Sequence, residues 1–367
     1  MKVGELFVYP IKSLRGVSIP ATQVTPNGFP YDRRFMLMRA ADPGPASPPP
    51  PTAQWKNMHI AHVPEMALFH VALWPPSSAA AGDDGSLTVT YRAPDEGIER
   101  GADAPPTPLR VPLQPKTAGL WTREVVMHRS PTTAYDMGPE YDDWFSARFG
   151  FPVKLVYLGG HLRPVLMSTT PDGAQPGQPQ QTNGASPSWP SWLSAIARPI
   201  TGAFGPRKEE ITFADCAPFL VASSRSLANV SARLPEGEKM DMSKFRPNIV
   251  IDDAPEDWDE DFWAELRVGD DGGSVIHCVH NCVRCISITV DYKLGKFGTG
   301  EAGSVLKKMQ RDRRVDAGSK YDPVFGRYSF LRARDEGKTI SVGDEVTVTQ
   351  RNTERSRFDW PGIGQNP

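Results

Sequence analysis

The chain is poor in cysteine, lacks long apolar runs and carries no excess of one charge. Its 367 residues include only four cysteines, too few for a disulfide scaffold of this length. No window approaches the ~18 consecutive apolar residues of a membrane-spanning helix, and the amino-terminal residues lack a charged leader with an apolar core. Lys and Arg total 41 against 43 Asp and Glu, which gives no field to gather nucleic acid. We expect a soluble intracellular protein that binds no nucleic acid and has no transmembrane segment.

Proline is abundant instead, at 37 residues, roughly twice its usual share of ~5%. The prolines gather in a few polar patches, which indicates loop insertions in an otherwise folded protein. The patches predict loops at 42–52 and 93–108 and a largely disordered low-complexity insertion at 168–208. They divide the chain into an amino-terminal module over 1–165, a second domain over 209–350 and a tail over 351–367.

Short alternating patterns dominate both halves and predict strands. One clear helical pattern runs from Pro139 through Phe149, where aromatic residues recur on one face and Gly150 provides a stop. In the second half we predict a strand pair within 264–278, a strand at Ile286 to Asp291 and a final hairpin at 328–349. Many strands with few, peripheral helices predict a β-rich α+β fold of the β-barrel type.

Three of the four cysteines lie within eight residues, as Cys278, Cys282 and Cys285. Their spacing matches the tripod that holds an iron–sulfur cluster in radical S-adenosylmethionine enzymes. A zinc site of three cysteines and one histidine is a second interpretation, although structural zinc usually draws on two separated ligand pairs. In the third interpretation Cys285 is a working thiolate and the others, with Cys216, mainly fill the core.

The third interpretation has a physical basis in the residues around Cys285. The alternation after it predicts that Cys285 lies where a loop enters a strand, which is a rigid and partly exposed mount. Arg284, His280 and His277 are expected to lower its pKa and favour the thiolate, the form that ligates a soft metal or accepts sulfur.

Two strings make the sequence similar to a known family. Cys282 to Asp291 (CVRCISITVD) and Phe245 to Ile251 (FRPNIVI) resemble the MOSC domain of the mitochondrial amidoxime-reducing component and its bacterial relatives. Tyr9 to Gly16 (YPIKSLRG) and Asp32 to Leu37 (DRRFML) resemble the amino-terminal β-barrel module that accompanies this domain. The resemblance therefore implies a MOSC-type β-barrel over 209–350 preceded by a MOSC amino-terminal module.

The resemblance implies a molybdenum cofactor, in which a pterin dithiolene holds the metal and Cys285 supplies a further sulfur. A thiolate suits a soft, high-valent metal, and cations suit the phosphate of the pterin. The positions that match the family's cofactor-binding residues are Lys12, Ser13, Arg34, Ser223, Ser224, Arg246 and Asn248. These assignments have ordinary alternatives: Lys12 or Arg246 taken alone is a solvated charge, Asn248 satisfies backbone groups, and the Ser223–Ser224 pair caps the helix that follows.

The implied reaction is the reduction of N-hydroxylated compounds, namely amidoximes and hydroxylamines, by removal of an oxygen atom. The electrons would come from a separate donor, cytochrome b5 with its flavin reductase. Because the membrane anchor of the mitochondrial relatives is missing, we expect a cytoplasmic rather than a mitochondrial protein. Two alternatives remain, a persulfide-carrying MOSC protein and a noncatalytic carrier of the cofactor.

Overall fold

The computed structural model describes residues 1–41, 54–76, 84–94, 107–167 and 209–364. The loop predicted at 42–52 and the insertion at 168–208 lie outside the described residues, as does most of the loop at 93–108.

Short strands make up most of the regular structure. The amino-terminal strands are β1 Lys2–Val8, β2 Val17–Ile19, β3 Ala21–Gln23, β4 Phe35–Ala40, β5 Trp55–Asn57, β6 Phe69–Trp74, β7 Ser86–Tyr91, β8 Leu109–Pro112, β9 Thr122–Met127, β10 Ser130–Asp136 and β11 Val153–Tyr157. The later strands are β12 Arg163–Pro164, β13 Glu210–Ile211, β14 Phe219–Ser223, β15 Ile249–Asp252, β16 Trp263–Val268, β17 Ser274–Val283, β18 Val290–Asp291, β19 Lys296–Phe297, β20 Val324–Leu331, β21 Thr339–Ser341 and β22 Val346–Arg351. The helices are α1 Pro139–Phe149, α2 Ser224–Ser231, α3 Gly300–Gly303 and α4 Val305–Gln310.

Two large sheets organise the chain, which confirms the predicted β-rich fold with few helices. The larger has eight strands in the order β2-β1-β15-β14-β20-β17-β16-β22, and the other has five in the order β5-β4-β11-β10-β9. A separate three-stranded sheet is formed by β6, β7 and β8. Each large sheet buries an apolar face, so the core is divided into clusters rather than concentrated at one centre.

The two halves of the chain interlock through their backbones. Strand β1 pairs antiparallel with β15, with Leu6 opposite Ile249, and β3 pairs with β21. The first strand of the chain is therefore part of the sheet that is otherwise built by the second half. This pairing brings the loop after β1 next to the loops of the second half, where the cleft described below is found.

Helix α1 forms as its sequence pattern predicts. Phe145 and Phe149 are buried, and Phe149 stacks on Phe69 with ring centroids 4.5 Å apart. Gly150 ends the helix in the left-handed conformation, at φ +76°, which costs little for a residue without Cβ.

Two predicted elements differ from the structure. Residues 286–291 are not a continuous strand: Ile286–Thr289 form a 3₁₀ turn and only Val290–Asp291 are extended, because Thr289 Oγ1 donates to the carbonyl of Ile286 at 2.7 Å and closes the turn. The hairpin predicted at 328–349 is also wrong. Strand β20 pairs with β14 and β17, whereas β22 pairs with β16, since β16 and β17 lie between them in the sheet.

The last described residues are also part of the packed structure. Trp360 is fully buried and Phe358 nearly so. The indole Nε1 of Trp360 donates to the carbonyl of His128, at the tip of the β9–β10 hairpin, at 2.7 Å. The segment after β22 therefore stabilises the amino-terminal part of the molecule. None of the helices among the described residues is long and apolar enough to cross a lipid bilayer.

Candidate active site

A cleft opens where the loops of the two halves meet, and small-molecule and cofactor sites are common at such junctions. Its walls combine cations with sulfur. The lining residues that carry chemistry are Lys12, Ser13, Arg33, His59, Asp215, Lys244, Arg246, Asn248, Cys282, Arg284, Cys285, Ser287 and Tyr328. Five of them are Lys or Arg and one is an acid, so the cleft is cationic in a chain whose formal net charge is -2. The arrangement favours an anionic ligand.

Cys285 lies at this cleft with its side chain exposed. It comes just after β17 and just before the 3₁₀ turn Ile286–Thr289, so the predicted position at the start of a strand is wrong. Its thiol donates to the Ser287 hydroxyl at 3.3 Å. The preceding Arg284 fixes the backbone because its guanidinium donates to the carbonyls of Phe245 and Phe325 at 2.8–3.0 Å. Cys285 therefore has an accessible sulfur on a rigid mount.

The other three cysteines are buried. Burial raises the pKa of the Cys278 and Cys282 thiols, and that of Cys216 well above its ordinary value. Cys278 lies in a different apolar cluster from Cys216 and Cys282, so the sulfurs do not converge on one point. Among the described residues no three His, Cys, Asp or Glu side chains are grouped to hold a metal ion. The geometry supports neither the iron–sulfur tripod nor the zinc site.

The two histidines expected to act on Cys285 are directed elsewhere. His277 Nδ1 lies 3.6 Å from Glu265, and His280 Nε2 lies 3.5 Å from Asp359. Neither histidine lines the cleft. That expectation is wrong because both residues belong to β17, whose side chains are engaged by the neighbouring strand β16 and by the segment after β22.

Lys12 lies on the cleft wall and is almost fully buried. Its ammonium donates to the Asp215 carboxylate and, at 3.1 Å, to the carbonyl of Phe213. Burial lowers the pKa of Lys12, while Asp215 opposes that effect. Burial alone would raise the pKa of Asp215, but Lys12 and His128 hold it well below its usual range. The wall therefore carries a fixed ion pair.

Arg33, and not its neighbour Arg34, reaches the cleft. Arg33 donates to the Asp32 carboxylate at 2.6 Å and to Asn248 Oδ1 at 3.1 Å, whereas Arg34 donates to the carbonyl of Gly159 and does not line the cleft. The prediction for Arg34 missed that Arg33 adopts the left-handed conformation, at φ +49°, which turns the chain just before β4.

Asn248 lines the cleft, but its amide is used within the protein. Its Oδ1 also accepts from the backbone amide of Leu220 at 3.2 Å, and its Nδ2 donates to the carbonyl of Phe7 at 3.2 Å. Asn248 therefore ties β1, β14 and Arg33 together, which agrees with the alternative that it satisfies backbone groups.

Arg246 keeps unused hydrogen-bonding capacity. Arg246 donates through Nη1 to the carbonyl of Leu14 at 2.8 Å and stacks 4.4 Å from the Tyr9 ring centroid, but its buried Nη2 has no partner among the described residues. Arg246 and Ser13 both have left-handed backbones, at φ +56° and +68°. Such backbone strain in residues without glycine's freedom is concentrated at functional sites.

Ser223 and Ser224 are not brought to this cleft. Ser223 is buried at the start of α2, and its side chain accepts from the backbone amide of Arg225 at 3.2 Å. It is the helix cap that the sequence offered as an alternative. Ser224 lines a different depression, together with Glu5 and Asp252.

Several cleft residues were not assigned from the sequence. They are Arg33, His59, Asp215, Lys244 and Tyr328. Arg33 gave a signal because it lies in the string Asp32 to Leu37, which resembles the amino-terminal module of the family. His59 gave none: it lies in an irregular segment that matches no motif, and only the tertiary fold brings it to the cleft.

Comparison with known proteins agrees with the resemblance. The profile of the MOSC N-terminal beta barrel domain matches residues 1–152, and that of the MOSC domain matches residues 208–347. The chain belongs to the MOSC family. Both modules of this MOSC protein line the cleft, the first through Lys12, Arg33 and His59 and the second through Arg246 and Cys285.

The similar proteins are named as amidoxime-reducing components or as a molybdenum cofactor sulfurase. Mitochondrial amidoxime-reducing component 1 of Homo sapiens is 26% identical over 94% of this chain and 82% of its own length. Mitochondrial amidoxime reducing component 2 of Rattus norvegicus is 33% identical over 37% of this chain and 38% of its own. Molybdenum cofactor sulfurase of Botryotinia fuckeliana is 23% identical over 95% of this chain and 41% of its own.

Likeness to a solved structure is weak. The crystal structure of YiiM from Geobacillus stearothermophilus is matched over 36% of this chain and 55% of its own length, with a TM-score of 0.25 and 11% identity. It carries no argument about this protein.

Proposed function

We propose that this MOSC protein binds a molybdenum cofactor in the cationic cleft and reduces N-hydroxylated compounds such as amidoximes and hydroxylamines. One observation carries the proposal: the exposed thiol of Cys285 lies in the same cleft as Lys12, Lys244 and Arg246. A soft metal and a phosphate require different ligands, and this cleft offers both kinds. The similarity to amidoxime-reducing components supports the choice of reaction.

The residues present fit such a cofactor. Cys285 is assigned to the metal because its sulfur is accessible and its backbone is fixed. The buried Nη2 of Arg246 lacks a partner among the described residues, and a phosphate oxygen would satisfy it. Lys12 and Lys244 add positive charge on the same walls, and Ser13 adds a hydroxyl. When bound, the cofactor supplies two-electron removal of an oxygen atom from an N–O bond.

The residues of the chain bind the ligand, hold the cleft walls in position and neutralise buried charge. The guanidinium of Arg33 donates to Asp32 and Asn248. Arg33 therefore stabilises the cleft wall and is not assigned to the ligand. The Lys12–Asp215 pair keeps an ammonium buried at a fixed place without leaving an isolated charge. Tyr328 and Cys282 also line the cleft, and burial raises the pKa of both groups, which keeps them neutral.

The reaction consumes two electrons and two protons for each oxygen released as water. We expect the electrons to come from a separate protein, with cytochrome b5 and its flavin reductase as the pair implied by the family resemblance. The substrate is expected to be a small molecule, because cofactor and substrate must share one cleft.

The test is metal analysis followed by turnover. We expect purified protein to contain molybdenum and to reduce benzamidoxime with a chemical electron donor. Cys285→Ser should lose turnover, whereas Cys282→Ser, which removes a buried sulfur from the same cleft, should keep it. Molybdenum-loaded protein without turnover would contradict the reductase proposal, and an active Cys285→Ser variant would contradict the ligand assignment.

A sulfur-carrying function is the second candidate, favoured by the similarity to molybdenum cofactor sulfurase over 95% of the chain and by the exposed Cys285. A carrier would bear a persulfide on this thiol. Intact-mass measurement after incubation with a cysteine desulfurase would then show one added sulfur atom in the native protein but not in Cys285→Ser. A noncatalytic carrier of the cofactor would instead retain molybdenum without turnover and without added sulfur.

A further inference from the structure

His59 is a residue of the cleft that the proposed chemistry does not yet use. It lies after β5, in a segment held by its buried neighbours Met58 and Ile60. Its carbonyl accepts from the backbone amides of His62 and Val63 at 2.8 and 2.9 Å. With the backbone fixed on both sides, the imidazole is directed to the cleft and its position is set by the amino-terminal module.

The hydrogen bonds of His59 decide which ring nitrogen carries the proton. Nδ1 lies 3.1 Å from the backbone nitrogen of Ala61. A backbone N–H can only donate, so Nδ1 must be the acceptor and Nε2 must carry the hydrogen. Burial, with Lys12 next in importance, lowers the pKa of His59 to about 4, so the ring is neutral at physiological pH.

The Nε2–H group has no hydrogen-bond partner among the described residues. The other side-chain donors of the cleft are cations, the amide of Asn248, the thiol of Cys285 and the hydroxyls of Ser13, Ser287 and Tyr328. The guanidinium groups of Arg33 and Arg284 donate hydrogen bonds to acceptors within the protein. The ammonium of Lys12 is paired with Asp215. A phosphate selects charged donors. A neutral donor is better matched to a neutral ligand oxygen, because it gains a hydrogen bond without attracting further anions.

We propose that His59 donates from Nε2 to the N-hydroxyl oxygen of the substrate and so selects N-oxygenated compounds over their reduced products. The inference rests on the proposed reductase function and adds the group that recognises the oxygen. His59 is not the proton source for the water that leaves, because its ring is neutral at physiological pH and the remaining N–H of a neutral imidazole is a very weak acid.

Two variants separate the hydrogen bond from the volume of the ring. His59→Phe removes the donor and keeps a planar ring, whereas His59→Gln keeps a neutral N–H donor. The probe is benzamidoxime, titrated by calorimetry into cofactor-loaded protein without an electron donor and then assayed with one. We expect His59→Phe to raise the dissociation constant and KM by roughly two- to tenfold, the effect of one neutral hydrogen bond. His59→Gln should recover most of the loss, and the molybdenum content should match wild type in both variants.

Three results would overturn the inference. One is equal affinity for benzamidoxime in wild type and His59→Phe. The second is loss of molybdenum in His59→Phe but not in His59→Gln, which would assign the donor to the cofactor. The third is a nitrogen-15 spectrum of the cofactor-free protein in which Nδ1, and not Nε2, carries the proton at neutral pH. If wild type itself holds no molybdenum or does not turn over benzamidoxime, the proposed function fails instead, and the spectrum still tests the tautomer.

Discussion

Lys12 and Asp215 form an ion pair across the two modules, 203 residues apart in the chain. The side chain of Lys12 is 6% exposed and that of Asp215 is 44% exposed. Lys12 therefore cannot be solvated by water in place of the ion pair, whereas Asp215 can. A buried ammonium without a counter-charge is far more costly than a half-exposed carboxylate without one. The pair therefore links the stability of the fold to the charge of the cleft.

Asp215→Asn is expected to lower the free energy of unfolding by about 1–3 kcal/mol, a range discounted for the exposure of Asp215. The reason is that Lys12 stays buried with only the Phe213 carbonyl as a full-strength acceptor. Urea denaturation measures the change. The control is the double variant Lys12→Met/Asp215→Asn, which should be more stable than Asp215→Asn alone because no unpaired ammonium remains. Equal or greater destabilisation of the double variant would contradict the argument.

The exposure of the four cysteines predicts their reactivity. Iodoacetamide needs access to the sulfur and a thiolate, and the sulfurs of Cys216, Cys278 and Cys282 are buried. Native protein free of cofactor should therefore take up one carbamidomethyl group, on Cys285, and denatured protein should take up four. Peptide mapping by mass spectrometry identifies the site. Rapid labelling of Cys282 in the native state would show that the cleft wall around this buried sulfur opens.

Local patterns in the sequence predicted local structure well. Helix α1 could be predicted because its aromatic face and its stop at Gly150 are encoded within twelve consecutive residues. The region after Cys285 was mispredicted because alternation over six residues fits a strand as well as a turn, and a single side-chain bond from Thr289 decides between them. Periodicity alone does not register such a bond.

Long-range pairing explains the rest of the difference between sequence and structure. The partnership of β1 with β15 joins residues such as Leu6 and Ile249, and no local signal reports it. The family resemblance names Lys12, Arg246 and Cys285 together, and these residues line one cleft, because the resemblance carries tertiary information. The resemblance did not show that Arg33, and not Arg34, lines the cleft. Which of the two side chains reaches the cleft depends on the left-handed backbone of Arg33.

Arg33 and Arg34 are expected to differ in their contribution to stability. Arg33 is buried and donates to Asp32, to Asn248 and, at 3.1 Å, to the carbonyl of Arg246, whereas one carbonyl accepts from Arg34. Hydrogen bonds to charged groups contribute about 1.5–3 kcal/mol each when buried. Arg33→Gln should therefore lower the free energy of unfolding by at least ~2 kcal/mol, and the matched control Arg34→Gln by less than ~1 kcal/mol. Chemical denaturation of both variants makes the comparison, and a reversed order would contradict the assignment of Arg33 to the cleft wall.

Glu260 makes stability depend on pH in a direction opposite to that of most carboxylates. It is fully buried, its Oε2 accepts from the Ser226 hydroxyl at 2.7 Å, and its Oε1 has no partner among the described residues. Burial raises the pKa of Glu260 from 4.5 to about 7, with Asp261 adding to the effect while Ser226 and Arg313 oppose it. The folded protein thus binds this proton more tightly than the unfolded chain does.

The contribution of Glu260 to the free energy of unfolding is therefore greatest at low pH and is lost as the pH rises from about 4.5 through about 7. Glu260→Gln keeps an acceptor for Ser226 and carries no charge at any pH. We expect it to raise the free energy of unfolding at pH ~8 by about 1–3 kcal/mol and to flatten the pH profile across that window. The control is Glu256→Gln, an exposed position nearby, which should leave the profile unchanged. Urea midpoints measured across the window decide the matter, because a Glu260→Gln profile with the wild-type slope would mean that another group binds the proton.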